Sequence, residues 1–427
     1  MSEPQLARAF FETTVPPYHV QTTARRLEGG FPYFAHHDSI SALWSQKWRA
    51  PCAAGIYPFD DAQVADFNPI FEYLAEATHD DPSILTRPDD YARSFMPMAG
   101  RLAGESETAE SDSDTKRARD RFLRAAAVYR IARFPVNRSP VTQRAWELGK
   151  DAYIKGGAYL DPPNIPVDIP FAQANPQAGD TAVPIPAFLR IPRGQAPAEG
   201  WPVLLFVCGL DAYRTDNTSR VQEHTDRGFA TVSFEIPGTG DCPAAPRDPA
   251  SPNRLMSSVL DWVVDSADDL HLNPSRAVLR GISTGGYYAI RASHTHADRL
   301  FAVAQQGGGC HHMFDPSWIG AQNQMEYLFA LADALAYKFG FRDGDSPVTD
   351  LRRARTSLQP ANLRCPGHAE HPAVAGQRHG GLDLPDRRHV PGRTTRKRQG
   401  RRRPRQQGAH GQPRRRANCL PMDRRNT

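Results

Sequence analysis

From about Ile165 onward the chain runs through four short apolar segments, each ending in or near glycine: "WPVLLFVCGL", "GFATVSFEIPGTG", "SRAVLRGIS" and "DRLFAVAQQGGG". Side chains alternate across a strand, so a segment apolar at nearly every position has two faces to bury. A parallel sheet covered by helices on both sides buries them. The intervening stretches supply helical period, as in "SRVQEHTDRG" and "PNRLMSSVLDWVVDS". Strands alternating with helices predict an α/β fold with a buried, mainly parallel sheet over residues 161–350. Just upstream, "AVPIPAFLRIP" reads as a hairpin-like pair of strands.

Residues 1–160 have a different period. "DFNPIFEYLAEAT" and "RFLRAAAVYRIARF" space their apolar residues as amphipathic helices do. Between them "GESETAESDSDTK" reads as an acidic, serine-rich, mobile linker.

Charge is distributed unevenly. Residues 361–427 hold 17 basic and 4 acidic side chains, so the preceding 360 residues are net acidic although the whole chain carries +5. Global basicity is therefore no argument for nucleic-acid binding. The six cysteines are scattered without C-x-x-C, which points to a reducing compartment and away from a disulfide framework or zinc site. No secretory signal and no run approaching the ~20 apolar residues of a membrane span is visible, so a cytoplasmic protein without membrane association is expected.

Within "RGISTGGYYAIRAS", residues 281–285 match G-x-S-x-G. In a nucleophile elbow the chain turns so sharply from strand to helix that only small residues fit two places before and after the serine. Gly281 and Gly285 supply that room, an apolar strand precedes them and a Pro-free helical stretch follows. Ser283 is thus the candidate nucleophile, against the alternative of a serine in a glycine-rich turn. An oxyanion hole needs two amide donors. Thr284, directly after the serine, supplies one. Leu210, after strand-ending Gly209 in "VCGLDAYRTDN", is the candidate for the other, unless that glycine merely ends a strand.

Other polar residues near strand ends are candidates for the pocket. Glu235, in "EIPGTGDCP", either brings its loop to the pocket or belongs to a structural turn. His311, His312 and Asp315 follow the strand after the elbow, in "GGGCHHMFD". Adjacent histidines point to opposite sides of an extended chain and do not chelate a metal together, though either one can polarise a substrate oxygen. His294 and His296 read as surface or packing residues, and Cys310 as a packed thiol.

Several of these blocks carry a family resemblance. "GISTGGYYAIRASHTHADRL", "GGGCHHMFDPSWI", "EIPGTGDCPAAPRDPASPNRL", "GLDAYRTDN" and "RAAAVYRIARFP" resemble the polyketide-shortening hydrolases of fungal pigment pathways, over about residues 42–345. The resemblance implies an α/β-hydrolase fold with a helical cap within residues 1–160, and a Ser–Asp–His triad with Ser283 as nucleophile. It also implies a polyketide substrate cleaved at a carbon–carbon bond: a heptaketide naphthopyrone losing an acetoacetyl unit to give tetrahydroxynaphthalene. No metal or organic cofactor is implied, and a homodimer is. An esterase or lactonase would use the same serine chemistry on a carbon–oxygen bond.

The acid and the histidine should follow the nucleophile, and there the sequence changes character. Residues 351–427 lose all strand or helix period and include "RTTRKRQGRRRPRQQGAHGQPRRRAN". A disordered basic tail is one reading, and a nucleic-acid-binding extension on an inactive pseudo-hydrolase is a second. The preferred reading is a slipped reading frame. Read from the second codon base, "AVAGQRHGGLDLPDRR" permits "LLLVNGMEDLIYPIE", a strand followed by a turn with aspartate. "AHGQP" likewise permits "HMGN", close to the family's histidine loop. Asp383 and His410 are therefore not assigned, and the printed chain has no nameable triad acid or histidine.

Overall fold

The computed structural model describes residues 34–309, 312–324 and 329–341. A helical layer comes first, with α1 (Val64–Thr78), α2 (Met96–Ser111), α3 (Thr115–Ala132) and α4 (Pro140–Ala158) as its main elements. Its core is aromatic: Trp44, Trp48, Phe59, Phe67, Phe71 and Phe95 are buried together, and Trp44 stacks on Phe71 at 4.7 Å between centroids. Each such ring contributes about 1.5–3 kcal/mol by leaving water.

The expected linker is a correction. "GESETAES" continues α2 to Ser111, and Asp114 already caps α3 through its carboxylate on the Arg117 amide. Ser106 lies buried on Leu102 O, and Glu105 pairs with Arg121 at 2.9 Å. Acidic composition suggested a solvated linker, but the residues at helical spacing had a neighbouring helix to pack on.

The sheet begins where the period changes. Its strands are β1 (Ile165–Ile169), β2 (Ile185–Arg190), β3 (Trp201–Val207), β4 (Ala230–Phe234), β5 (Leu272–Ile282) and β6 (Ala302–Gln306), in spatial order β1-β2-β4-β3-β5-β6. The β1–β2 and β2–β4 pairs are antiparallel, and β4–β3, β3–β5 and β5–β6 are parallel. The expected hairpin inside "AVPIPAFLRIP" is a second correction: that stretch forms the single strand β2, whose partner is β1. Pro184 and Pro192 flank a strand too short to fold back on itself.

Three helices follow the strands: α5 (Thr218–Asp226) after β3, α6 (Ser251–Asp265) after β4 and α7 (Thr284–Thr295) after β5. On one sheet face Val203, Leu205, Val232 and Leu279 join the main core, and on the other Leu204 and Phe206 pack with Val221 of α5. Phe188 of β2 packs into the helical layer's core instead, with its ring 5.4 Å from that of Tyr153 on α4. β6 differs from its neighbours: Ala302, Ala304, Gln305 and Gln306 are exposed, and Phe301 beside it is 65% exposed. No helix among the described residues is long and apolar enough to cross a membrane.

Candidate active site

Ser283 occupies the turn between β5 and α7, with φ 55° and ψ −126°. That backbone region is natural for glycine and costs another residue about 1–3 kcal/mol. The turn is held on both sides: the Ser283 amide donates to Gln306 O, and the Gly286 amide to Ser283 O, each at 2.8 Å. The side chain is exposed at the tip.

The flanking glycines are steric requirements. A Cβ on Gly281 would stand 2.2 Å from Gly285 O, and one on Gly285 would stand 2.3 Å from Cys208 O. The helix start is therefore pressed against the end of β3. The same contact brings in the loop after β3, because the Cβ position of Gly209 is 2.9 Å from Ser283 Cβ and 3.1 Å from its Oγ. Leu210, the next residue, is buried, as is Thr284. Neither the Leu210 nor the Thr284 amide donates to a backbone carbonyl among the described residues. Ser283 and Thr284 thus meet the loop that carries Leu210 at its Gly209.

The structure also gathers residues that were not expected there. Asp211 is buried, with Oδ1 3.2 Å from the same Gly209 position, so its carboxylate and the serine hydroxyl both border that position. The rest of the loop rests on buried charges. Asp216 lies 3.0 Å from Arg130 Nε and hydrogen-bonds Arg133, and both arginines come from the end of α3. Burial works to raise the Asp216 pKa, but the two guanidinium groups outweigh it and hold the carboxylate below its ordinary range. A sequence signal did exist: after Arg124, "RAAAVYRIARFP" sets Arg130 and Arg133 three residues apart in an apolar stretch, and buried arginines need a partner.

Glu235 belongs to this scaffold and does not face open space. It is 3% exposed, Oε2 is 2.6 Å from Arg214 NH1, and Oε1 accepts the Arg214 amide at 3.1 Å. Burial raises its pKa more than Arg214 lowers it. Arg214 also meets Asp241 at 3.0 Å, which in turn accepts from Trp146 Nε1 at 2.7 Å and Lys150 at 2.9 Å, both on α4.

Asp315 is half-buried at the start of the short helix Pro316–Ala321. His311 and Cys310 lie outside the described residues, as does the side chain of His312, whose backbone opens the turn His312–Phe314. The whole of residues 342–427 lies outside as well, including Asp383, His410 and the basic tail. His294 is exposed, while His296 is buried with Nε2 2.9 Å from Ser257 Oγ. The thiols of Cys208 and Cys242 are pushed up to about 12 by burial, so neither competes as a nucleophile. A cavity of about 700 Å³ lies on the helical layer between Ile70, Tyr73, Ile84, Met98 and Arg101, and none of the candidate residues lines it.

Comparison with known proteins agrees with this architecture. The model of the family described as FrsA-like esterase matches residues 102–377, more than half of the chain. The alpha/beta hydrolase psoB of Aspergillus fumigatus is 26% identical over 249 residues, covering 55% of this chain and 52% of that protein. The hydrolase phmG of Phaeosphaeria nodorum is 28% identical over 221 residues, 48% of this chain and 49% of the relative. The chain thus spans about half the length of the curated relatives it matches first. A crystal structure titled as that of 2,6-dihydroxy-pseudo-oxynicotine hydrolase superposes with a TM-score of 0.51 at 19% identity, covering 63% of this chain and 68% of the other. With its mixed, mostly parallel sheet flanked by helices, the chain has the α/β-hydrolase fold and belongs to the FrsA-like esterase family.

Proposed function

We propose that the protein is a serine hydrolase that shortens a polyketide by hydrolytic carbon–carbon cleavage, with Ser283 as nucleophile. One observation carries the serine assignment: a non-glycine residue holds a strained backbone at the strand-to-helix turn, with Gly209 of the preceding loop against its hydroxyl. Strain of this kind is kept where it presents a functional group. Ser283 Oγ attacks a side-chain ketone, losing its proton to a base, and the Leu210 and Thr284 amides receive the negative oxygen. Collapse expels the ring carbon as an enolate-stabilised carbanion, which takes the proton back from the base. Water then releases the acyl group and frees the serine.

The polyketide substrate rests on the block resemblance to pigment-pathway hydrolases, and the fungal hydrolases among the relatives favour it. An esterase acting on a polyketide ester or lactone is the second reading, favoured by the description of the matching family. The base and its acid partner belong to a C-terminal part displaced by a slipped reading frame. The exposure of β6 fits that reading.

Two measurements test these points. In the frame-restored protein a fluorophosphonate probe should label Ser283 and leave the Ser283→Ala variant unlabelled; equal labelling of both rejects the serine assignment. A frame-restored protein given a naphthopyrone and an aryl ester should release acetoacetate from the first. Turnover of the ester alone rejects carbon–carbon cleavage.

A further inference from the structure

Two blocks of the sequence, one of them carrying Leu210, meet in the fold. "RAAAVYRIARFP" ends α3, and "GLDAYRTDN" is the loop that brings Gly209 to Ser283. Arg133 is the joint between them. One of its terminal nitrogens hydrogen-bonds Asp216, and the other donates to the Asp211 carbonyl at 3.2 Å. Its plane lies on the Tyr213 ring, 3.7 Å from the centroid. The Tyr213 amide donates to Asp216 at 2.9 Å, and the Tyr213 hydroxyl to Asn137 at 2.7 Å. Arg130 holds the other Asp216 oxygen and also donates to Thr215 O at 3.3 Å.

One guanidinium therefore fixes residues 211, 213 and 216 together. Leu210 is caught between two anchors: Gly209 against the serine on one side, and the Asp211 carbonyl bound to Arg133 on the other. We infer that Arg133 is a positioning residue, which fixes the direction of the Leu210 amide toward the oxyanion and so makes acyl chemistry depend on the seating of the helical layer. This rests on the assignment of Ser283 as nucleophile. Only arginine suits the place, because a planar fork can stack on a ring and donate along two edges at once. Lysine keeps the charge for Asp216 but loses the second donor direction and the stacking.

The test uses the frame-restored full-length protein and a fluorophosphonate, whose phosphoryl oxygen enters the oxyanion site. The maximal rate of Ser283 labelling and the half-saturating probe concentration are measured for the unaltered protein, Arg133→Lys and Arg133→Ala, well below each thermal midpoint. Loss of one oxyanion donor costs about 10²–10³-fold. The maximal rate should therefore fall about 10²-fold in Arg133→Ala and at least about 10-fold in Arg133→Lys, with the half-saturating concentration unchanged. A folded Arg133→Lys labelled at the unaltered rate overturns the inference, and this variant decides if Arg133→Ala does not fold. Failure of the unaltered protein to carry probe on Ser283 instead overturns the nucleophile assignment, and the inference with it.

Discussion

Gly209 lies against Ser283 so closely that a methyl in place of its hydrogen would stand 2.9 Å from the serine Cβ and 3.1 Å from Oγ. Hydroxyl and loop share one space. Gly209→Ala should therefore slow fluorophosphonate labelling of Ser283 about 10²-fold by displacing the Leu210 amide. The overpacking should lower stability by about 1–3 kcal/mol, read from urea unfolding. A folded variant labelled at the normal rate would show that the loop has no part in the site.

The backbone of Ser283 offers a separate test. At φ 55° and ψ −126° a glycine would be unstrained. Relief of about 1–3 kcal/mol of strain outweighs the roughly 0.5–1 kcal/mol of extra chain entropy that glycine loses on folding. Ser283→Gly should raise the urea midpoint while abolishing labelling. Ser283→Ala should abolish labelling with no such gain.

Two other glycines should respond in opposite directions to alanine. The Cβ position of Gly285 is 2.3 Å from Cys208 O and 2.7 Å from Val207 O, which are backbone atoms with no rotamer to relax into. Gly285→Ala should cost about 3 kcal/mol or more and reduce soluble yield. Gly104, exposed within α2, has nothing within 4 Å of its Cβ position. Gly104→Ala should gain up to about 1 kcal/mol of helix propensity.

His224 predicts a pH effect. It is buried, and its Nε2 lies 2.6 Å from Arg280 NH1. A guanidinium has no acceptor, so Nε2 must keep its lone pair. Burial, and then the Arg280 charge, lower its pKa from 6.5 to about 4. The unfolded chain therefore takes up this proton first, and the contribution to stability is present above 6.5 and lost as pH falls toward 4. Asp61, raised to about 6 by burial, acts in the opposite sense over much of that range. The difference between unaltered protein and His224→Gln isolates the histidine. Unfolding free energies should fall more steeply between pH 6.5 and 4 in the unaltered protein. Parallel curves would contradict the assigned neutral ring.

The reading-frame proposal makes a prediction at the level of the gene. Sequencing of the transcript should find a single-base insertion or deletion, or a mis-called intron, near codons 350–370. The printed polypeptide should show little hydrolysis, since a serine without its base retains only binding and the oxyanion hole. Restoring the frame should give ordinary turnover. An intact frame at that position would reject the proposal and leave the basic tail as part of the protein.

What the sequence determined alone is local. Continuous apolar runs specified buried strands, the change of period near Ile165 placed the start of the sheet, and two glycines around Ser283 marked the elbow, because each signal lies within a few neighbouring residues. Local signals also misled: the acidic composition of residues 104–116 suggested a linker where α2 and α3 pack. Tertiary structure alone decided which residues surround the serine. Asp216 and Arg133 are 83 residues apart, and neither period nor motif says that a loop after β3 will rest on the end of a helix. That choice belongs to packing, which sets two guanidinium groups in a buried layer where Asp216 is the carboxylate within reach of both.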